Sequence, residues 1–274
     1  MRMGEYPGVA CRERHVRMTS HDVSESIPML SGSIGSWRLS LSRTPRAAFD
    51  LGRQYDAKAK RWSSRLERMG VHAAYRECWR ALLDEQLNLP LGRAIRVLDC
   101  GVGDGAFSRA FCTVWSGGLD LHGVDVSEVM LTEARSRLEA VGVHATLWRS
   151  DACDLPFEDG FFDLVFSAHM LEHLPSPQRA LSEMRRVLAP GGAAVAVVTR
   201  RSAPGRLVQV RWRTHVFDPR QAGRLMAESG FDSLGCLPPT GRSIFDSLSL
   251  TCYGRKPPYQ RAGLPQPETK EDHT

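Results

Sequence analysis

The chain has no apolar run long enough to cross a bilayer. The longest, Ala193-Ala194-Val195-Ala196-Val197-Val198, falls far short of the roughly 20 residues a spanning helix needs. A strong excess of one charge is also missing. Lys+Arg number 36 against 31 Asp+Glu, a net +5 that does not by itself argue for nucleic acid. The seven cysteines, at 11, 78, 100, 112, 153, 236 and 252, are odd in number and scattered. None stands in a Cys-x-x-Cys pair, which argues against a disulfide framework or a zinc ribbon and favours a reducing compartment. The opening Met1-Arg2-Met3-Gly4-Glu5 leads into no apolar h-region, so no secretory signal is expected. Glu5, Glu13, Asp22 and Glu25 argue against a transit peptide, and the expected location is the cytoplasm. No internal repeat and no nucleophilic triad is visible.

What is present is an ordinary globular mix, with 42% hydrophobic and 24% charged residues in 274. Residues 1–48 are rich in Ser, Gly and Pro and show no sustained period. They read as a poorly ordered segment with little core of its own. Residues 49–92 form a helical cap: Leu51, Tyr55, Ala59, Trp62 and Leu66, then Ala73, Tyr75, Trp79, Leu82 and Leu83, predict two helices broken near Gly70. Residues 93–255 alternate strand and helix, the pattern of a parallel sheet covered on both faces. Strands are expected at 95–100, 119–124, 145–148, 162–166 and 193–198. A helix over 219–229 is followed by stretches 231–237 and 244–253 with no helix between them, read as a terminal antiparallel hairpin at the sheet edge. The polar, Pro-rich residues 256–274 read as a flexible tail.

The sharpest segment is Val97-Leu98-Asp99-Cys100-Gly101-Val102-Gly103-Asp104-Gly105-Ala106-Phe107, which leaves a strand and opens a helix. Gly101, Gly103 and Gly105 let the backbone turn tightly and approach a ligand, beside the free N–H groups of a helix start. Asp125 ends the second strand, where a carboxylate can accept from ribose hydroxyls. Both features point to an adenosine-containing cofactor. The spacing Gly101-x-Gly103-x-x-Ala106 also fits the loose dinucleotide fingerprint. Asp99 decides against it: a carboxylate there repels a pyrophosphate but can bind an ammonium group.

These motifs, in this order, resemble the class I S-adenosylmethionine-dependent methyltransferases over about residues 95–254. Asp99-x-Gly101-x-Gly103-x-Gly105 resembles the family's first motif, and 123–131 its second. Residues 150–157 resemble the segment whose acid meets the adenine. Residues 162–167 resemble the fourth strand, and 188–192 the turn before the fifth. The resemblance implies an α/β, Rossmann-like doubly wound sheet of seven strands in order 3-2-1-4-5-7-6, with an N-terminal helical cap. It implies S-adenosyl-L-methionine as cofactor. Asp99, Gly101, Gly103 and Gly105 would surround its methionine part, Asp125 its ribose, and Val126 and Met130 its adenine. Asp151 would accept from the adenine amino group with Ala152 beside it, and Ser167 would offer its backbone carbonyl to the ammonium.

Methyl transfer is an in-line displacement from an already activated sulfonium. The enzyme mainly aligns the acceptor and excludes water, and needs a base only for a protonated acceptor. Ser167-Ala168-His169-Met170-Leu171-Glu172-His173-Leu174 is the region for such a base. If helical, it puts His169, Glu172 and His173 on one face. It resembles a stretch that holds a divalent cation in quinone-pathway O-methyltransferases. Here His169 replaces the first glutamate of that set, so no metal is expected, and His169 is the candidate catalytic base. A second region carries Arg200, Arg201, Arg206, Arg211, Trp212 and Arg213, suited to an anionic group, with His215 a second catalytic candidate at the mouth of the site. Residues 55–62 resemble an N-terminal lid over the cofactor. The expected acceptor is a small molecule, an anionic or aromatic metabolite methylated on O, C or N. RNA or protein as acceptor, and a catalytically inactive cofactor-binding regulator, are the alternatives. No catalytic Asn/Asp-Pro-Pro-Tyr-type tetrapeptide or appended nucleic-acid module supports the first of these.

Overall fold

The computed structural model describes residues 27–34, 37–43, 70–212, 214–238 and 244–258. The helix expected through Tyr55 and Trp62, with its lid role, lies outside the described residues. Inside the stretch read as lacking any period, β1 (Ile27–Ile34) and β2 (Trp37–Arg43) pair as an antiparallel hairpin.

The main sheet has seven strands: β3 (Ile95–Cys100), β4 (Leu119–Asp125), β5 (Ala145–Arg149), β6 (Phe162–Ala168), β7 (Leu188–Thr199), β8 (Asp232–Cys236) and β9 (Ser249–Arg255). They run in the order β5-β4-β3-β6-β7-β9-β8, as the resemblance implies. The first five are parallel, and β9 runs antiparallel to both β7 and β8. Burial on both faces explains the near-continuous apolar strands. In β3, Leu98 and Cys100 enter one core, and Ile95 and Val97 the other. β6 divides the same way, with Phe162 and Val165 on one side and Leu164 and Phe166 on the other.

Helix α1 (Val71–Glu85) starts just after Gly70, whose φ of 73° is left-handed. It buries Val71, Tyr75, Trp79 and Leu82, spaced one turn apart. Trp79 meets Phe107 and Phe111 of α2 (Ala106–Val114) and Phe166 of the sheet, with ring centroids 4.7, 4.8 and 5.0 Å away. Its indole N–H donates to the Phe107 carbonyl at 3.1 Å. This helix is part of the core. On the opposite face, α4 (Pro177–Val187) buries Leu181 and Met184. Its Arg186 donates to the carbonyls of Leu155 and Phe157 and pairs with Glu183 and Asp159. That holds the loop after β5. Arg186→Met should cost about 2 kcal/mol, since it breaks a half-buried network and strands its acceptors. A denaturant midpoint unchanged from wild type would disprove this.

Two details depart from the sequence reading. Residues 189–192, read as a turn before the fifth strand, lie inside β7 as an irregularity, where pairing jumps from Phe162↔Leu188 to Leu164↔Ala193. The last strand starts late: α7 (Ile244–Leu248) is helical, so the expected helix-free hairpin is interrupted. The cysteine reading also needs one correction. Cys236 and Cys252 face each other across β8 and β9 and form a disulfide, because strand register brings together residues 16 apart in sequence. Cys78, Cys100, Cys112 and Cys153 are thiols outside any disulfide. No described helix is long and apolar enough to cross a membrane.

Candidate active site

The loop between β3 and α2 is built by backbone. The N–H groups of Gly101 and Val102 donate to the Val124 carbonyl at 2.8 and 2.9 Å, tying the loop to the end of β4. Gly101 is required twice over. Its φ is 75°, and a Cβ would stand 2.5 Å from Met170 Cγ. Gly103 and Gly105 also have positive φ, and Gly105 caps α2. Asp125 closes the turn from the other side. Its Oδ2 accepts from Gly103 N and its Oδ1 from Ser127 N, both at 2.9 Å. A carboxylate oxygen can accept more than one hydrogen bond, so a backbone N–H and a hydroxyl can share it.

Asp99 is 1% exposed. Ser108 Oγ donates to its Oδ2 at 2.6 Å, while Oδ1 is buried without a partner. Burial pushes its carboxyl up to about 7; the Ser108 hydrogen bond opposes the shift, and Asp125 and Asp104 reinforce it. A buried carboxylate with an orphan oxygen is costly unless a cation completes it. This residue and the glycine loop fit an amino acid moiety with its ammonium, and Asp125 fits a nucleoside next to it.

The residues expected on the adenine side follow in order. Ser127 caps α3 (Glu128–Glu139) by accepting from Met130 N, which fixes Met130 beside the half-buried Val126. Ser150 N donates to the Asp125 carbonyl at 3.1 Å, so the loop carrying Asp151 starts next to Asp125. Asp151 Oδ1 accepts from Cys153 N, and Ala152 is buried in the core. Ser167 is fully buried near the end of β6, beyond the Asp99↔Phe166 pair, and its Oγ has no partner.

The region after β6 differs from a helix face. Only Leu171–His173 is helical, as a single 3-10 turn, and His169 precedes it at φ 55°. His169, Glu172 and His173 therefore do not share a face. His169 Nδ1 meets Glu172 Oε1 at 2.8 Å, while His173 is half-buried, and burial lowers its pKa. Among the described residues no three His, Cys, Asp or Glu side chains converge on a common metal position. His215 joins this region through its backbone: its N–H donates to the Glu172 carbonyl at 2.8 Å, and its ring leans on Phe217. Of the arginine cluster, Arg201 and Arg206 are exposed at the start of α5 (Ala203–Trp212). The side chains of Arg211, Trp212 and Arg213 lie outside the described residues.

Sequence reasoning missed Ser108, Thr199 and Ser249. Ser108 carries a weak signal, since it lies on the first turn of α2 facing the strand end. Thr199 and Ser249 carry none: they reach Glu172 and His169 across 27 and 80 residues.

Residues 98–196 match the family described as a methyltransferase domain. A ubiquinone/menaquinone biosynthesis C-methyltransferase, UbiE, of Burkholderia mallei is 37% identical over 123 residues, 45% of this chain and 48% of that one. The chain thus spans about half the length of the curated relatives it matches. Among solved structures, the [4+2]-cyclase SpnF is 18% identical with a TM-score of 0.63, over 78% of this chain and 98% of that one. An N-methyltransferase of Haemonchus contortus, solved with phosphomonomethylethanolamine and S-adenosylhomocysteine, is 18% identical with a TM-score of 0.56, over 81% of this chain and 63% of that one. These structural likenesses concern the fold. The family match covers residues 98–196, the stretch that carries the glycine loop, Asp125 and Asp151.

Proposed function

We propose that this protein transfers a methyl group from S-adenosylmethionine to a small-molecule acceptor. One observation carries the reading: Asp99, a buried carboxylate with an orphan oxygen at the end of the central strand. A dinucleotide offers no cation to that position. The relative named as a quinone-pathway C-methyltransferase supports a small-molecule acceptor. The cyclase that shares the fold shows that methyl transfer does not follow from architecture.

When bound, the cofactor supplies a methyl group already activated by its sulfonium. The chain's part is to bind and orient. Asp99 would hold the ammonium, with Gly101, Gly103 and Gly105 giving the amino acid part a close backbone. Asp125 would accept from the ribose hydroxyls. Val126, Met130, Ala152 and Asp151 would enclose the adenine, and the Ser167 carbonyl would add a second contact to the ammonium. His169 and His215 lie beyond the glycine loop, on the acceptor side.

Calorimetry with S-adenosylhomocysteine and with NAD tests the cofactor. Binding of the first and not the second is expected, and the reverse would refute the reading. Transfer of label from S-adenosylmethionine to metabolite extracts tests turnover and separates an enzyme from a cofactor-binding regulator. Asp125→Ala should lower affinity for S-adenosylhomocysteine on the order of tenfold to a hundredfold, the cost of roughly 1.5–3 kcal/mol for hydrogen bonds to a charged group. Thermal unfolding should shift only modestly, because the loop keeps its bonds to Val124. Unchanged affinity would show that Asp125 does not hold the ribose.

A further inference from the structure

A second polar constellation sits at the ends of β6 and β7 and the start of β9. His169 Nδ1 is 2.8 Å from Glu172 Oε1, and His169 Nε2 is 3.0 Å from Ser249 Oγ. The same Oε1 accepts from the Thr199 backbone N–H at 3.1 Å and the Thr199 hydroxyl at 2.7 Å. Glu172 is 1% exposed, whereas 30% of the His169 side chain is open. His169 holds a left-handed backbone, pinned by its N–H to the Val197 carbonyl. Such backbone is uncommon for a non-glycine residue and costs energy that the surroundings must supply.

For a neutral imidazole the hydrogen bonds admit one consistent proton arrangement. Burial pushes the Glu172 carboxyl up, but His169, His173 and Thr199 outweigh it and hold the group below its ordinary value. An ionised carboxylate only accepts, so the imidazole proton is on Nδ1. Nε2 then presents a lone pair, and the Ser249 hydroxyl donates to it. The result is a base with its tautomer set, its open nitrogen already directed at a hydroxyl oxygen.

We propose that Glu172 positions His169 to take a proton from the acceptor, and that the Ser249 hydroxyl holds the place at Nε2 that an acceptor hydroxyl takes over. The proposal rests on the methyltransferase reading and names its substrate class: an acceptor whose oxygen still carries its hydrogen at neutral pH. The O–H bond of the acceptor breaks, the proton passes to Nε2, and the electron pair stays on the acceptor oxygen as the nucleophile. The imidazolium charge is met by the Glu172 carboxylate, which remains ionised. Acceptors already anionic, such as carboxylates, have no use for this pair. Phe245 stands edge-on to His169 and to Tyr75 of α1, with centroids 5.9 and 5.0 Å away, a wall suited to a planar phenol. The other titratable groups around the pair are His173 and His215 beside Glu172, and Tyr75 within its electrostatic reach.

The test uses Glu172→Gln, Thr199→Val and, to assign the imidazole signal, His169→Gln. Nitrogen-15 NMR of the cofactor-free protein should show wild-type His169 protonated on Nδ1, with that preference lost in Glu172→Gln. Methyl transfer is then measured from labelled S-adenosylmethionine to simple phenols of graded acidity. Glu172→Gln should lower kcat by roughly 10²–10⁴, most for the least acidic phenol. S-adenosylhomocysteine should bind every variant as it binds wild type. If Glu172→Gln does not fold, Thr199→Val replaces it, with a smaller loss of kcat and no change in Kd. A wild-type His169 protonated on Nε2, or a folded Glu172→Gln that works at the wild-type rate, overturns the proposal. Wild type that binds S-adenosylhomocysteine but methylates no phenol overturns the acceptor class. Failure to bind S-adenosylhomocysteine overturns the methyltransferase reading instead, and the tautomer measurement still reports on the pair.

Discussion

Asp99→Asn should bind S-adenosylhomocysteine roughly thirtyfold or more weakly than wild type, yet be at least as stable at pH 8. The two halves have one cause. A carboxylate buried with one oxygen orphaned destabilises the folded chain until a cation arrives. Its pKa rises from 3.8 to about 7, so the folded protein holds this proton more tightly than the unfolded chain does. Stability therefore falls as pH rises from about 4 to about 7, by about 4 kcal/mol in total, and is flat above. Asparagine removes that slope. It keeps the Ser108 bond but leaves an unpartnered amide that costs about 1–3 kcal/mol, less than the charge penalty it replaces. Affinity moves the other way. A neutral amide cannot pair with the ammonium, and loss of one partner of a buried charged pair costs about 2–5 kcal/mol. Wild-type affinity should also climb from pH 5 to pH 7 as Asp99 ionises, while the variant's stays level. Calorimetry and chemical denaturation across that range check both halves, and wild-type affinity in the variant would remove Asp99 from the site.

Gly101→Val should abolish measurable binding of S-adenosylhomocysteine and lower stability by about 2–4 kcal/mol. Any side chain at this position meets two obstacles. The left-handed φ of 75° costs about 1–2 kcal/mol for an L-residue, more for a β-branched one. A Cβ would also come within 2.5 Å of Met170 Cγ and 2.7 Å of Met170 Cβ, the stiff root of that side chain. Either the loop or the start of the turn carrying Glu172 has to move. Moving the loop breaks the bonds of Gly101 and Val102 to Val124, the bonds that tie the glycine loop to the end of β4. Gly142 is the control: its φ is also 75°, but a Cβ there meets nothing within 4 Å. Gly142→Val should share the backbone cost and keep the affinity. If both variants bind alike, crowding at Gly101 is not what that glycine relieves.

The sheet was legible because its information is local. The short apolar runs of β3 and β6, the Ser127 cap and the 101–105 glycines each act within a few residues. Strand order came from the resemblance. The end of the chain was misread because Ile244, Phe245 and Leu248 serve a short helix as readily as a strand, and an apolar run of that length has no period to decide between them. The β1–β2 hairpin hid for a related reason, as Ser and Gly interrupt its alternation.

The site divides along the same line. Asp99, the glycines and Asp125 are readable from sequence because they lie at the turns of one strand–helix–strand unit, where spacing alone sets their relation. The His169 site is not. Sequence could place His169 near Glu172, but it suggested a helical face where the chain forms a single 3-10 turn. Whether His169 is a ligand, a structural residue or a base depends on Thr199 and Ser249, which arrive on β7 and β9 through the crossover that inserts the last strand antiparallel into the sheet. Only packing across that strand order links a buried carboxylate, an imidazole and two hydroxyls into one chain of hydrogen bonds. No local pattern encodes those contacts, because each of their residues is separately compatible with an ordinary strand end.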